Sequence, residues 1–390
     1  MRVDFNSPID PASKKIIDDA RIRAHAETTL KELSVKNAKV VVLAHQGRKG
    51  DSDFIPLRQH AEILANILHR PVRYVDDLFG DKALDAIKSL RNGEILVLEN
   101  VRTFPEETKE GTPEQQAKTE LVEKLAPLAD LFVNDAFSAA HRSHVSIIGF
   151  TTVLKSVAGR VMERELESLG KVLENPAKPC VFVLGGAKAD DSLEICRHVL
   201  ENKVADHVLT GGVVGQVFLV AKGRNLGKPN MKFLEDEKVE KLTGGIDELM
   251  KKYDGQIETP VDVAVDVGGK RMELDIDRLP TDHSILDIGS KTVREYAGTI
   301  RKAKSVVASG PMGVFENPNF GLGTKLVLEE IANSKAFSLA GGGHTIAAID
   351  KFGLTRRISY ISTAGGALTE FLMGKTLPGV AALERAAAAR

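Results

Sequence analysis

Residues 158–192, AGRVMERELESLGKVLENPAKPCVFVLGGAKADDS, decide the fold class. Val161, Met162, Leu166, Leu169, Val172 and Leu173 recur at helical period and leave one apolar stripe, so the spacing predicts a helix over 158–175. Glu167 and Lys171 add a favourable i,i+4 pair, and Asn175-Pro176 stops the helix because proline restricts the residue before it. Residues 180–184, CVFVL, form a continuous apolar run, the pattern of a strand buried on both faces of a parallel sheet. Gly185 and Gly186 break that run. Asp190, Asp191 and Ser192 are N-cap residue types ahead of a second periodic run through Leu193, Cys196, Val199 and Leu200. Glycines between a strand and a helix N-terminus let a backbone approach anions, and the first helical N–H groups are unpaired and partly positive, so this turn is a phosphate-binding candidate to which Lys188 adds a full charge. An ordinary strand-to-helix connection with an exposed lysine has the same local sequence, so the neighbouring segments must decide.

The chain has 390 residues, enough for two or three domains with their own cores. Its 53 basic and 54 acidic residues leave a net charge of -1, so no global field favours nucleic acid or an anionic membrane. Cys180 and Cys196 give neither a disulfide framework nor a metal-ligand spacing and read as small core residues in a reduced compartment. The opening MRVDFNSPID has no apolar h-region, and nowhere is an apolar run long enough to span a bilayer. A cytoplasmic protein is expected, with no nucleic-acid or membrane partner.

Working backwards, residues 2–5, 40–43, 72–75, 95–98 and 131–133 read as strands, with helical patterns over 55–68, 83–90 and 114–126. Such alternation predicts a parallel, doubly wound sheet, in which ligands sit beyond the carboxyl ends of the strands. The residues there repeat one chemistry: Asp4 and Asn6, then Arg21 opening a helix; His45 and Arg48; Glu99, Asn100 and Arg102; Asn134, Asp135, His141, Arg142 and His144. A single arginine is usually a solvated surface residue. Several guanidiniums at one sheet edge of a nearly neutral protein form a cradle for a small ligand carrying carboxylate or phosphate.

Working forwards, glycine replaces arginine at the strand ends. Gly185-Gly186, Gly211-Gly212, the GPMG run 310–313, Gly341 to Gly343 and Gly365-Gly366 each follow an apolar run, and five such turns favour a nucleotide. Neither G-x-x-x-x-G-K-[ST] nor a strand-end G-x-G-x-x-G occurs, which excludes a P-loop kinase and weighs against a dinucleotide dehydrogenase. The tail 383–390 has helical propensity. One half thus holds anions with arginine and the other a nucleotide with glycine, the layout of a hinged phosphoryl-transfer enzyme.

The runs VDFNSP, AHQGR, LENVR, VNDAFSAAHRSH, LGGAK, GPMGVFE, AGGGHT and STAGGA resemble the phosphoglycerate kinase family in kind and order. AHQGR, GGGHT and LGGAKADDS are similar to its archaeal branch. The resemblance implies two doubly wound, Rossmann-like α/β domains joined by a hinge helix: residues 1–157 with 376–390 for 3-phosphoglycerate, 158–175 as the hinge, and 176–375 for the nucleotide. It implies reversible phosphoryl transfer between 1,3-bisphosphoglycerate and ADP, giving 3-phosphoglycerate and ATP with Mg2+. Carried over by position, Asp4, Asn6, Arg21, His45, Arg48, Arg102 and Arg142 bind the acid substrate. Lys188, Gly211, Gly212, Pro311, Glu316, Gly342, Gly343, Gly365 and Gly366 bind ATP or ADP. Arg21, Lys188, Gly343 and Gly366 are the catalytic set.

Three positions depart from the family's commoner pattern. Ser192 stands where a second lysine is usual, Ser309 where asparagine is usual, and His344 where an aspartate tied to the metal is usual. Imidazole is a poor ligand for magnesium, so Asp191 becomes the metal candidate, with Asp190 beside it. These departures favour a second reading, a catalytically silent nucleotide-binding protein on the same fold; the retained Arg21 and Lys188 oppose it. The resemblance also implies a lead-in segment ahead of VDFN, and LPGVAAL is similar to the segment that returns to the first domain. A monomer or homodimer is expected.

Overall fold

The computed structural model describes residues 1–389, apart from the side chains of residues 240 and 243. The chain divides into two compact units, residues 1–166 with the segment from Thr376 onward, and Glu167–Lys375. The division falls inside the helix Arg160–Leu173.

In the first unit, β1 (Val40–Val42), β2 (Arg73–Tyr74) and β3 (Ile95–Val97) pair in parallel in the order β1-β3-β2, and β4 (Phe132–Asn134) pairs in parallel with β5 (Ser156–Ala158). The opening segment is the seam between them: Arg2 bridges in parallel to both Leu43 and Asn134. The strand expected over 2–5 therefore shrinks to one bridged residue. Its cause is local, because the backbone N–H of Asp4 donates to His25 Nε2 (3.0 Å) and that of Asn6 to Asp4 Oδ1 (2.9 Å), which takes both donors out of a ladder. Val3 and Phe5 still alternate into the core.

Three expected helices change their bounds. The helix expected over 55–68 begins later, as Arg58–Leu68, since Pro56 disfavours helical geometry at Ile55. That expected over 83–90 begins earlier, as Asp81–Lys88. The helix expected over 114–126 is two, Pro113–Gln116 and Glu120–Leu125. Thr119 breaks it: its backbone is extended and its hydroxyl donates to Gln116 O (2.7 Å). The tail folds as Pro378–Ala388 and rejoins the first unit, with Gly379 N donating to Ala140 O (2.8 Å).

The second unit contains β6 (Cys180–Leu184), β7 (His207–Thr210), β8 (Ile257–Glu258), β9 (Asp262–Val267), β10 (Lys270–Asp275), β11 (Ile285–Ile288), β12 (Ser305–Ser309), β13 (Phe337–Gly341) and β14 (Tyr360–Ser362). Six of these form a parallel sheet in the order β14-β13-β12-β6-β7-β8. Every residue of β6 is buried, as its unbroken apolar run requires. The connections leave β6 and β12 in opposite directions, so the crevice at their carboxyl ends is the topological switch point.

Two features depart from the sequence reading. The helix expected over 158–175 is Arg160–Leu173, because Ser156–Ala158 extends to pair with β4. An antiparallel sheet, β10-β9-β11, was not foreseen. Its hairpin signal is a two-residue turn, Gly268-Gly269, both at positive φ (59° and 82°), between DVAVDV and KRMELD.

Candidate active site

In the first unit, Asp4 is the hub. Its carboxylate pairs with the Arg21 guanidinium and accepts from Ser138 Oγ (2.5 Å) and from Asn6 N (2.9 Å). Burial alone would raise its pKa, but the Arg21 charge and these donors outweigh burial and hold it well below the usual carboxylate range. Arg21 comes from the short helix Ala20–His25, and its side chain is 32% exposed, open to a ligand. Asn6 Oδ1 accepts from Gly47 N (2.8 Å), and Arg102 donates to Gly47 O, so the opening segment and the turn through His45 and Arg48 share one backbone support.

His45 has a defined tautomer. Arg2 Nη2 lies 2.9 Å from its Nδ1, and a guanidinium can only donate, so the neutral ring carries its proton on Nε2. Burial and then the Arg2 charge push the His45 pKa well down, which keeps it neutral. Arg2 is itself buried, and its Nε donates to Ser146 Oγ (2.8 Å), which in turn donates to the buried carboxylate of Glu107 (2.6 Å). Arg48, Arg102 and Arg142, with Lys49 and His144, line a cavity of about 580 Å³. Asp4, Asn6, Arg21 and His45 do not line that cavity, so the predicted cradle comprises two groups. They are electrostatic neighbours all the same: burial lowers the Arg102 pKa, and Arg48, Asp4 and Arg142 all act on it.

Two buried histidines fix this scaffold. His25 Nε2 accepts from Asp4 N, so its Nδ1 carries the proton and donates to Asp135 Oδ2 (2.7 Å). The same Asp135 accepts from Thr29 Oγ1 (2.8 Å) and, through Oδ1, from Val161 N (2.8 Å) and Met162 N (3.2 Å). It thereby caps the helix Arg160–Leu173. His60 Nε2 lies 3.0 Å from Gln46 Oε1, which also accepts from Ser7 N (2.8 Å).

In the second unit, two cavities open at the switch point and share Gly186, Pro311 and His344. The first, about 330 Å³, is lined largely by apolar groups, including Val213, Leu219, Phe233 and Val314, with Gly212 and Glu316 at its wall. The second, about 360 Å³, is lined by the strand-end turns Gly185-Gly186, Gly310-Pro311, Gly342-Gly343 and Gly365-Gly366, with Lys188 and Asp191. Thus Lys188, Asp191, Pro311, Gly342, Gly343, Gly365 and Gly366 converge on one cavity, and Gly212, Pro311 and Glu316 on the other. Gly211 lines neither: a Cβ there would lie 2.5 Å from Met312 Sδ, so its smallness serves packing.

The glycines divide by cause. Gly310 (φ 90°) lies against β6, and a Cβ on it would come within 2.1 Å of Gly185 O, so the crossing of the two turns excludes any side chain. At Gly343 a Cβ would meet nothing within 4 Å, so the room it leaves faces the cavity it lines. Hydroxyls pin the Gly310–Gly313 turn: Thr345 Oγ1 accepts from Gly310 N (2.7 Å), and Thr324 Oγ1 from Met312 N (3.0 Å) and Gly313 N (3.2 Å). Lys351 Nζ donates to Phe315 O (2.8 Å) and holds the Glu316 loop.

Asp190, Asp191 and Ser192 are not the cap of the following helix. That helix is Ala189–Glu201, with Lys188 at the N-cap position and the two aspartates in its first turn, where negative charge suits the helix dipole. Its leading amides gain no side-chain cap from Lys188; Ala189 N donates to Ala187 O (3.0 Å), and the next amides suit an anion. Lys188 is 87% exposed and 3.9 Å from Asp191, a loose pair that a ligand can replace. As for a metal, no group of three His, Cys, Asp or Glu side chains is clustered among the described residues. The cavity lining offers two carboxylates, Asp191 and Glu370, beside the imidazole of His344, which is a poor ligand for a hard cation; such a set fits a cation held largely by ligand oxygens.

Sequence reasoning missed Phe233 and Val314 in the apolar cavity, and the supporting Arg2, His25, His60, Thr324 and Thr345. No helix among the described residues is long and apolar enough to cross a membrane.

With this geometry established, comparison with known proteins gives consistent matches. The family model described as phosphoglycerate kinase matches residues 1–375. The chain is 50% identical over 384 residues to the phosphoglycerate kinase of Methanothermobacter thermautotrophicus, covering 98% of this chain and 93% of that one. It is 46% identical to that of Pyrococcus furiosus over 388 residues, 98% of this chain and 94% of the relative. Among solved structures, phosphoglycerate kinase from Pyrococcus horikoshii OT3 superposes with a TM-score of 0.89 at 42% identity, covering 99% of this chain and 96% of that one. The enzyme from Coxiella burnetii gives 0.84 at 33% identity, covering 98% and 95%. Similarity of this extent favours an active kinase over the silent reading. The chain belongs to the phosphoglycerate kinase family, in its archaeal branch.

Proposed function

We propose that the family's reaction, reversible phosphoryl transfer between 1,3-bisphosphoglycerate and ADP, is divided in this chain between an acid-binding first unit and a nucleotide-binding second unit. The observation that carries this reading is the pair of adjoining cavities in the second unit, one largely apolar and one walled by glycine turns and Lys188, which match a nucleoside and its phosphates. In the first unit, Arg48, Arg102 and Arg142 around one cavity suit the fixed phosphate of 3-phosphoglycerate. Asp4, Asn6, Arg21 and the His45 Nε2–H suit its hydroxyl and carboxylate ends.

In the ATP-consuming direction, a carboxylate oxygen of 3-phosphoglycerate attacks the γ-phosphorus, the bond to the bridging oxygen breaks, and ADP leaves. The attacking oxygen is already ionised, so no general base is needed; His25 and His60 serve as scaffold and His45 as a neutral donor to the substrate. Catalysis then consists of alignment and of cations offered to the equatorial phosphoryl oxygens. Arg21 supplies one from the acid side and Lys188 another, while the helix amides at Gly343 and Gly366 add neutral hydrogen-bond donors. Mg2+ bound with the nucleotide neutralises phosphate charge, and Asp191 would be its carboxylate. Ligands on separate units must meet for direct transfer, and we assign the helix Arg160–Leu173 as the hinge. The free, buried cysteines agree with a cytoplasmic setting, and a monomer suffices because both sites come from one chain.

Titration calorimetry tests the division. Arg142→Ala should abolish 3-phosphoglycerate binding and leave ATP binding intact, and Lys188→Ala should do the reverse. Loss of both ligands in either variant would reject the assignment.

A further inference from the structure

Two ammonium groups line the glycine-walled cavity, and only Lys188 has been given a role. The other is Lys375, at the end of the second unit. We propose that Lys375 is a second phosphate-binding cation, resting on Glu194 in the nucleotide-free protein and transferring to the nucleotide's phosphates when they enter. This rests on the reading of that cavity as the phosphate site.

The placement of Lys375 is constrained. It follows the helix Gly366–Leu372, whose leading glycine lines the same cavity, and its backbone N–H donates to Glu370 O (3.0 Å). Gly374 makes the intervening turn at φ 73°, and a Cβ there would come within 2.1 Å of His198 Cε1. His198 belongs to the helix Ala189–Glu201, which also carries Asp191 and Glu194. The turn is thus seated on the helix whose N-terminus faces the phosphates, and Lys375 stands at the cavity wall by virtue of that packing.

Its present partner is easily exchanged. Lys375 Nζ lies 3.1 Å from Glu194 Oε2, with both side chains about half exposed (52% and 54%). A pair of that kind contributes little to stability. The Glu194 hydrogen bond, with smaller help from Glu370 and Asp191, raises the Lys375 pKa, so the ammonium stays charged. A triphosphate carries more negative charge than one lysine and one divalent cation offset. A charge-assisted bond from Lys375 to a phosphate oxygen is stronger than the rim pair it replaces.

The test uses the full chain and calorimetry with ATP, ADP and adenosine, comparing the parent with Lys375→Ala, Lys375→Arg, Glu194→Gln and Lys188→Ala. Lys375→Ala should weaken ATP about tenfold, the scale of one hydrogen bond to a charged group, and leave adenosine unchanged. Lys375→Arg should restore most of that affinity, and Glu194→Gln should tighten ATP by removing the resting partner. Adenosine weakened as much as ATP would mean that the residue serves only the turn. ATP affinity unchanged in Lys375→Ala but reduced in Lys188→Ala would overturn the inference and spare the phosphate site. If neither lysine variant changed ATP affinity, the phosphate-site reading itself would fall. Weaker ATP binding in Glu194→Gln would contradict the exchange.

Discussion

At the residue scale, the first unit depends on buried histidines, three of which, His45, His60 and His144, are kept neutral by their surroundings. A proton on His45 Nδ1 would oppose Arg2. His60 and His144 carry the measurable consequence. Burial lowers both pKa values to about 4; for His144, the nearby Glu110 partly opposes that shift. In the unfolded chain a histidine titrates near 6.5. Between those values the unfolded state binds more protons, so their contribution is complete above about pH 6.5 and is lost as pH falls through about 4. The slope per histidine is at most roughly 1.4 kcal/mol per pH unit. Urea unfolding from pH 7 to 4.5 should therefore show falling stability, with a shallower fall in His60→Gln, whose amide can still donate to Gln46. Identical slopes in the two proteins would contradict this.

At the element scale, Asp135 links separate helices of the first unit. It ties the Arg21-bearing helix, through His25, to the start of Arg160–Leu173. Asp135→Asn keeps an oxygen for the helix amides but turns an amine toward His25 and Thr29. The loss should be about 2 kcal/mol by chemical denaturation, with a raised KM for 3-phosphoglycerate and an unchanged KM for ATP. A stability change within about 0.5 kcal/mol would reject the role.

The same elements explain what the sequence revealed. Cys180–Leu184 was readable to the residue because burial on both faces leaves an unbroken apolar run, and its glycine turn because close backbone crossing tolerates no side chain. Lys270–Asp275 was missed because it is half exposed and charged, and an apolar run is the wrong template for it. Arginines at strand ends could be found by their chemistry alone. The bonds from Arg2 to His45 and from His25 to Asp135, 43 and 110 residues apart, depend on tertiary placement that no local pattern carries.

At the scale of the whole molecule, each unit has its own core, and the proposed division gives each its own ligand. Hydrogen exchange should then respond to each ligand separately. ATP alone should protect amides at 186–191, 342–346 and 365–369; 3-phosphoglycerate alone should protect those at 4–7, 20–25 and 45–48. ATP alone protecting residues 4–7 as strongly as its own turns would contradict the division.

The most direct test of the central claim is the steady-state rate of ADP formation from ATP, 3-phosphoglycerate and magnesium by the parent chain, Arg21→Ala and Lys188→Ala. The account predicts turnover by the parent and a loss of about 10³-fold or more in each variant, the scale of a cation that stabilises a moving phosphoryl group. A parent that binds ATP without turnover, or variants that keep the parent's rate, would contradict it.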